Sequence, residues 1–195
     1  AEIPEVGVAA ERIAISEEVV CLAVPEADQP GASNGDADSD DAVLAYWRIG
    51  EPVSSLTLTT YTVARDLERL ALAALGEHCV FLSLESDGGV TPIRNDDEDP
   101  FDHVLAVFSS LTGSLVTSAT HAPQAEDMAI GDSPRVVAYR SCEADAGGID
   151  LNGDGDADDC VMQVLELLES GPRFVNTERA AEPCTFPACD PFFEP

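Results

Sequence analysis

An internal repeat governs this sequence, and everything else is read against it. Three segments fall into register: VVCLAVPEADQPGASNGDADSDDAVLAYW from Val19, CVFLSLESDGGVTPIRNDDEDPFDHVLAVF from Cys79, and VVAYRSCEADAGGIDLNGDGDADDCVMQVL from Val136. Each holds an alternating apolar run that ends in Glu, then small residues, an acidic cluster, and a second apolar run. The anchors keep step. Glu26, Glu85 and Glu143 are 59 and 58 residues apart, and Asn34, Asn95 and Asn152 are 61 and 57 apart. From each Asn the next residues read NGDADSDD, NDDEDPFD and NGDGDADD, which share N-x-D-x-D-x-x-D.

Each repeat carries four short runs with strand character, rich in Val, Thr, Phe and Tyr and bounded by turn residues. In the first they are Arg12–Ser16, Val19–Glu26, Ala42–Ile49 and Ser55–Val63. In the second they are Leu67–Ala74, His78–Glu85, His103–Ser110 and Ser114–His121. In the third they are Asp127–Gly131, Pro134–Glu143, Cys160–Glu169 and Pro172–Arg179. Asp66–Leu75 and Val161–Ser170 have helix-forming compositions, but their counterparts RIAIS and AVLAYW read as strands, so both are assigned to strands. The expected fold is all-β, with three four-stranded antiparallel units. The divisions are 1–11 (lead-in), 12–66, 67–126, 127–181 (the repeats) and 182–195, a tail rich in Pro and Cys.

The formal charge is −29, from 38 acidic and 9 basic residues, all nine of them Arg. Such a field repels nucleic acid and anionic membrane surfaces and attracts cations. Three Ca²⁺ would bring −29 to −23, since each adds two charges. A salt-adapted surface is the other account of the charge, but the acids cluster in three short loops. No apolar run reaches the ~20 residues of a membrane span. A start at Ala-Glu-Ile rather than Met is what removal of a secretion signal leaves.

Six Cys without a C-x-x-C pair point to disulfides and an oxidising, extracellular setting rather than to zinc. Cys142 and Cys160 stand at the two mouths of one loop and are expected to bridge; Cys184 and Cys189 are expected to close a small loop in the tail. Cys21 and Cys79 differ by one residue in their offset from Glu26 and Glu85, so they face opposite sides of equivalent strands and are not expected to pair.

Calcium takes six to eight oxygens on a tightly turning loop, and alternate residues of such a loop point to one centre. In the third loop Asp150, Asn152, Asp154, Asp156, Asp158 and Asp159 offer those oxygens, while Gly153 and Gly155 permit the turn. The first loop offers Asn34, Asp36, Asp38 and Asp41, and the second Asn95, Asp97, Asp99 and Asp102. Glu26, Glu85 and Glu143 sit at the mouths and are candidate additional ligands. An EF-hand is excluded, because the twelfth position counted from Asp150 is Val161 rather than an acid.

Asp150-x-Asn152-x-Asp154-Gly155-x-x-Asp158 resembles the D-x-D-x-D-G-x-x-D calcium loop of integrin α-chain propeller blades, which joins two strands of a blade. The units from Arg12 to Ala181 also resemble the strand–acidic loop–strand repeats of large secreted bacterial propeller-like proteins. The resemblance implies blade-like sheets with up to three Ca²⁺. The first loop departs from the pattern with Ala32 at the position of Asp150; the second has Ile93 there, no Gly, and Pro100. The expected order of occupancy is third, first, second.

No G-x-S-x-G, H-E-x-x-H, P-loop or dinucleotide motif occurs. Carboxylates on a repeated loop suit a metal better than acid–base work. Tyr46, Trp47 and Phe81 are expected in packing rather than on a sugar platform, and His103 in a strand. Three blades are fewer than the 4–8 of a closed propeller. The units are therefore part of a longer structure, a self-associating piece, or an open array. The leading expectation is a non-enzymatic, calcium-binding extracellular structural or adhesive protein that self-assembles, with a filament as one form of assembly. The alternative is a module binding cell-surface glycan or protein, and a third reading is a secreted polysaccharide hydrolase or lyase.

Overall fold

The computed structural model describes residues 7–30, 34–36, 38–65, 71–87, 89, 93, 102–117, 128–144 and 147–181. Within these the chain is all-β and forms three separate four-stranded antiparallel sheets. Sheet 1 holds β1 (Arg12–Ile15), β2 (Val19–Pro25), β3 (Ala42–Arg48) and β4 (Thr57–Thr62). Sheet 2 holds β5 (Leu72–Leu75), β6 (His78–Leu84), β7 (His103–Ser109) and β8 (Leu115–Thr117). Sheet 3 holds β9 (Met128–Asp132), β10 (Arg135–Cys142), β11 (Cys160–Leu168) and β12 (Gly171–Ala180). In each the strands lie in chain order, so every connection is to a neighbour. The array does not close on itself.

Both helix-like stretches contain strands, β11 from Val161 to Leu168 and β5 over Leu72–Leu75; residues 66–70 lie outside the described ones. Packing explains the override. Every residue of β7 is buried, because sheet 2 is covered on both faces. One face packs on sheet 1: Val19, Cys21, Ala23 and Leu44 meet Cys79, Phe81, Val104 and Phe108. The other packs on sheet 3: Val80, Leu82, Leu105 and Val107 meet Val137, Tyr139 and Leu165. Phe108 lies between two aromatic rings of sheet 1, with centroids 5.0 Å from Tyr46 and 5.9 Å from Tyr61. Phe81 is fully buried, His103 sits within β7, and Trp47 lines a surface groove of sheet 1.

Cys142 and Cys160 are direct partners in the β10–β11 register and form a disulfide, as expected. Cys21 and Cys79 also form one, with Cα atoms 5.8 Å apart, which corrects the sequence expectation. The parity argument was sound but pointed the other way. When equivalent sheets stack, the left face of one meets the right face of the next. Cysteines on opposite faces of equivalent strands are therefore the ones that meet. Cys184 and Cys189 lie outside the described residues.

The same stacking leaves two terminal faces. On sheet 1, Leu22, Val24, Val43 and Ala45 form the face equivalent to the one sheets 2 and 3 bury, and part of it is covered by Val8 of the lead-in. On sheet 3, Met162, opposite Arg140, lies on the outward face and is 39% exposed.

Candidate metal centres

The acidic loops all join the second and third strands of a sheet, so they cluster at one end of each unit. Their mouths are closed alike. Glu26 N donates to Asp41 O (3.0 Å), Glu85 N to Asp102 O (2.9 Å) and Glu143 N to Asp159 O (2.8 Å). This hydrogen bond ends the ladder and turns each Glu inward: Glu26, Glu85 and Glu143 are all buried.

From each Asn onward, alternate side chains cap the backbone two residues ahead. In the first loop Asn34 Oδ1 accepts from Asp36 N (3.0 Å), Asp36 Oδ1 from Asp38 N (3.1 Å) and Asp38 Oδ1 from Asp40 N (3.0 Å). In the third the same ladder runs Asn152 to Asp154 N (2.9 Å), Asp154 to Asp156 N (3.2 Å) and Asp156 to Asp158 N (3.1 Å). These successive Asx turns coil the chain so that the remaining oxygens converge. The Asn amide sits among them. Asn34 Nδ2 donates to Asp36 Oδ2 (2.9 Å) and Asp41 Oδ2 (2.5 Å), and Asn152 Nδ2 to Asp154 Oδ2 (3.2 Å) and Asp159 Oδ2 (2.7 Å). Glu26, Asp36, Asp38 and Asp41 each bring an oxygen within 4.8 Å of the others, and so do Glu143, Asp156 and Asp159.

The two centres differ at the Glu. Both oxygens of Glu143 are engaged by backbone donors: Oε1 by Leu151 N (2.6 Å) and Asn152 N (3.2 Å), Oε2 by Asp159 N (3.2 Å). Glu26 Oε1 accepts from Asn34 N, but Oε2 is buried and has no partner among the described residues. Asp150, the residue that Ala32 replaces in the first loop, turns back on its own loop. It accepts from Gly153 N (2.6 Å) and Gly155 N (3.0 Å), at glycines whose φ of +79° and +104° require the missing side chain. Asp154 and Asp158, like Asp150, stand outside the converging group of Glu143, Asp156 and Asp159.

The electrostatics repeat as well. Asp36 is held below the usual carboxylate range by the Asp38 backbone N–H and the Asn34 amide. Asp41 is pushed up to about 7, first by burial and then by the negative charges of Asp87, Asp36 and Asp38. Asp154 is likewise lowered by the Asp156 N–H and the Asn152 amide. For Asp159 the Asn152 amide pulls down, and Asp154, burial and Asp156 together push it up further. Burial also raises Glu26 against the Asn34 N–H, helped by Asp36 and Asp38. Each centre thus holds more negative charge than its own hydrogen bonds stabilise. All its donors are hard oxygens, the set that suits Ca²⁺ rather than zinc or copper.

Of the second loop, Glu85 and Asp102 are described and buried; Asn95, Asp97 and Asp99 lie outside the described residues. Two participants escape a loop-by-loop reading of the sequence. Asn176 Nδ2, on β12, donates to Leu151 O (2.8 Å) and anchors the third loop. Asp87, from the second repeat, reaches the first loop: its carbonyl accepts from Asn34 Nδ2 (3.1 Å). A signal for Asp87 was present, because E-x-D recurs at each mouth as Glu26-Ala-Asp28, Glu85-Ser-Asp87 and Glu143-Ala-Asp145. Compared with known proteins, the chain matches no described family, no curated protein and no solved structure.

Proposed function

We propose that this chain is a calcium-stabilised, non-enzymatic repeat protein that works outside the cell as a structural or adhesive element and associates with copies of itself. One observation carries the reading. Two loops in different repeats fold the same residues into the same arrangement: a buried Glu, an Asn amide bridging two carboxylates, and acidic oxygens within 4.8 Å of one another. A solvated hairpin tip needs none of this. Calcium offsets the self-repulsion of a chain of charge −29 and fastens loops that carry little apolar packing of their own.

An oxidising, extracellular setting is supported by the two disulfides, and calcium there is abundant enough for modest sites to fill. Self-association is supported by the terminal faces of sheets 1 and 3. Within the chain, their repeat equivalents are buried against a neighbouring sheet. The test is a calcium titration of the full chain by calorimetry, with magnesium as control, followed by light scattering at saturating calcium. The reading expects at least two calcium sites and a mass above that of one chain. No heat of binding would sink the calcium reading, and a monomer at all calcium concentrations would sink the assembly.

A binding module is the second reading, and a specific cleft favours it. About 570 Å³ opens at the end opposite the acidic loops, lined by Glu77, His78, Ser109, Arg135 and Glu169 among others. Arg135 there donates to Glu17 (3.2 Å) and Glu18 (3.3 Å) of the first repeat. A screen against glycans that returns specific binding, lost in Arg135→Ala, would move this reading to the front.

A further inference from the structure

The first loop is one acid short. Ala32 stands where the third loop has Asp150, and a calcium ion seeks six to eight oxygens. Yet it is the first loop, not the third, that leaves a carboxylate oxygen open. Glu26 is 9% exposed, contributes to the converging group, and has Oε2 buried with no donor among the described residues. A buried, unpartnered carboxylate oxygen is costly unless something positive meets it.

The second repeat comes to this loop as well. Asp87 closes the short turn that follows β6, and its carbonyl takes the Asn34 amide at 3.1 Å. Two residues on, Gly89 lies so close that a Cβ there would stand 2.3 Å from Asn34 O, which only glycine allows. The Asp87 carboxylate is one of the negative charges bearing on Asp41. Bringing a fifth carboxylate from another repeat against four others only adds repulsion, unless a cation joins them.

We propose that the cation of the first loop is shared between repeats: Asp87 of the second repeat completes the shell formed by Glu26, Asp36, Asp38 and Asp41 of the first, directly or through one bound water. This rests on the calcium reading above. The Glu85-Ser86-Asp87 mouth then divides its acids, with Glu85 at its own loop and Asp87 serving the loop of the preceding repeat. The ion becomes a clamp on the sheet 1–sheet 2 junction, which the Cys21–Cys79 disulfide also ties, from β2 to β6. The third centre, by contrast, closes on itself.

The test compares the full chain with Asp87→Asn, Gly89→Ala, Asp36→Asn and Asp156→Asn. Calcium is titrated by calorimetry, and amide exchange is followed at β5, which packs on β1 and β2. Asp36→Asn and Asp156→Asn assign the first and third sites. Asp87→Asn is expected to weaken the first site about 10–100-fold, the range seen when a supporting ligand is lost, and to leave the third unchanged. It should also abolish calcium-dependent protection of β5. Gly89→Ala, which pushes the turn off Asn34, is expected to do the same. If Asp87→Asn and Gly89→Ala both bind two ions with unchanged affinity, the clamp is overturned while the calcium reading stands. If the unmutated chain binds no calcium, both fall together.

Discussion

The first and third acidic loops share a ladder of Asx turns, a bridging Asn and a buried Glu, yet they find their partners in different places. The third satisfies Glu143 with three of its own backbone N–H groups, holds Asp150 on its own glycines, and is sealed by a disulfide across its own hairpin. Among the described residues, the first leaves Glu26 Oε2 without a donor, takes Asp87 from the next repeat, and belongs to a junction that a disulfide also ties. The same motif thus serves two ends. One loop stiffens a hairpin, and the other fastens a junction. What decides between them is whether the loop's own backbone can saturate the Glu.

The largest effects that sharpen this contrast come from the disulfides. By loop-closure entropy, the Cys21–Cys79 link, 58 residues apart, is worth about 4 kcal/mol, and the Cys142–Cys160 link, 18 apart, about 3 kcal/mol. Denaturant unfolding of Cys21→Ser/Cys79→Ser should show the larger loss, with a broadened transition as sheet 1 separates from the rest. Equal, fully cooperative losses in both double variants would blur the distinction between junction and hairpin.

The glutamates should separate next, in the metal-free protein. Glu143→Gln sets an amide N–H against the Asp159 N–H and is expected to cost about 1–3 kcal/mol. Glu26→Gln places that amide where Oε2 has no donor, among carboxylates, so stability in EDTA should hold or rise while calcium binding to the first loop is lost. A matching loss in both variants would mean that the two Glu do the same job.

Titration gives a subtler contrast. Asp41 has its pKa raised to about 7 in the folded chain, from 3.8 for an ordinary aspartate. Between those values the folded state binds the proton that the unfolded state has released, so this group's contribution to stability declines as pH rises from about 4 to 7. Melting in EDTA should therefore fall across that window, and Asp41→Asn should flatten the slope. Calcium should flatten it too, by holding the carboxylate ionised. Asp36 and Asp154 shift downward and act in the opposite sense, losing stability only as pH falls through the acid range. The smallest change is expected from Arg65→Ala. This exposed side chain pairs with Glu11 at 3.0 Å beside the first loop, and its loss should cost under ~1 kcal/mol by thermal melting.

Much of this was legible in the residues. The alternation in VVCLAVP and AVLAYWR set the β2–β3 register, and the N-x-D-x-D ladder announced which oxygens converge. What escaped was everything that depends on how one repeat meets the next. Strand parity said that Cys21 and Cys79 face opposite ways, and stacking turned that into contact. Asp87 was visible in the E-x-D triplet, but its partner Asn34 lies in another repeat. β5 was placed from Leu67, in a Leu- and Ala-rich stretch whose composition favours helix, and its strand is described only from Leu72. Composition could not show that Leu72, Ala73 and Leu75 are buried, with β6 and the neighbouring sheets around them.

The central claim is that the acidic loops are structural cation sites, and a thermal melt in excess EDTA, followed by calcium add-back, addresses it most directly. An ion binding only the folded state at a hundred times its Kd contributes about 2.7 kcal/mol per site. In a chain of this size that corresponds to roughly 5–10 °C. The account predicts a drop of at least that size in EDTA, restored by calcium and not by magnesium. A melting point unchanged by EDTA would contradict it, and would leave salt adaptation as the explanation of the charge.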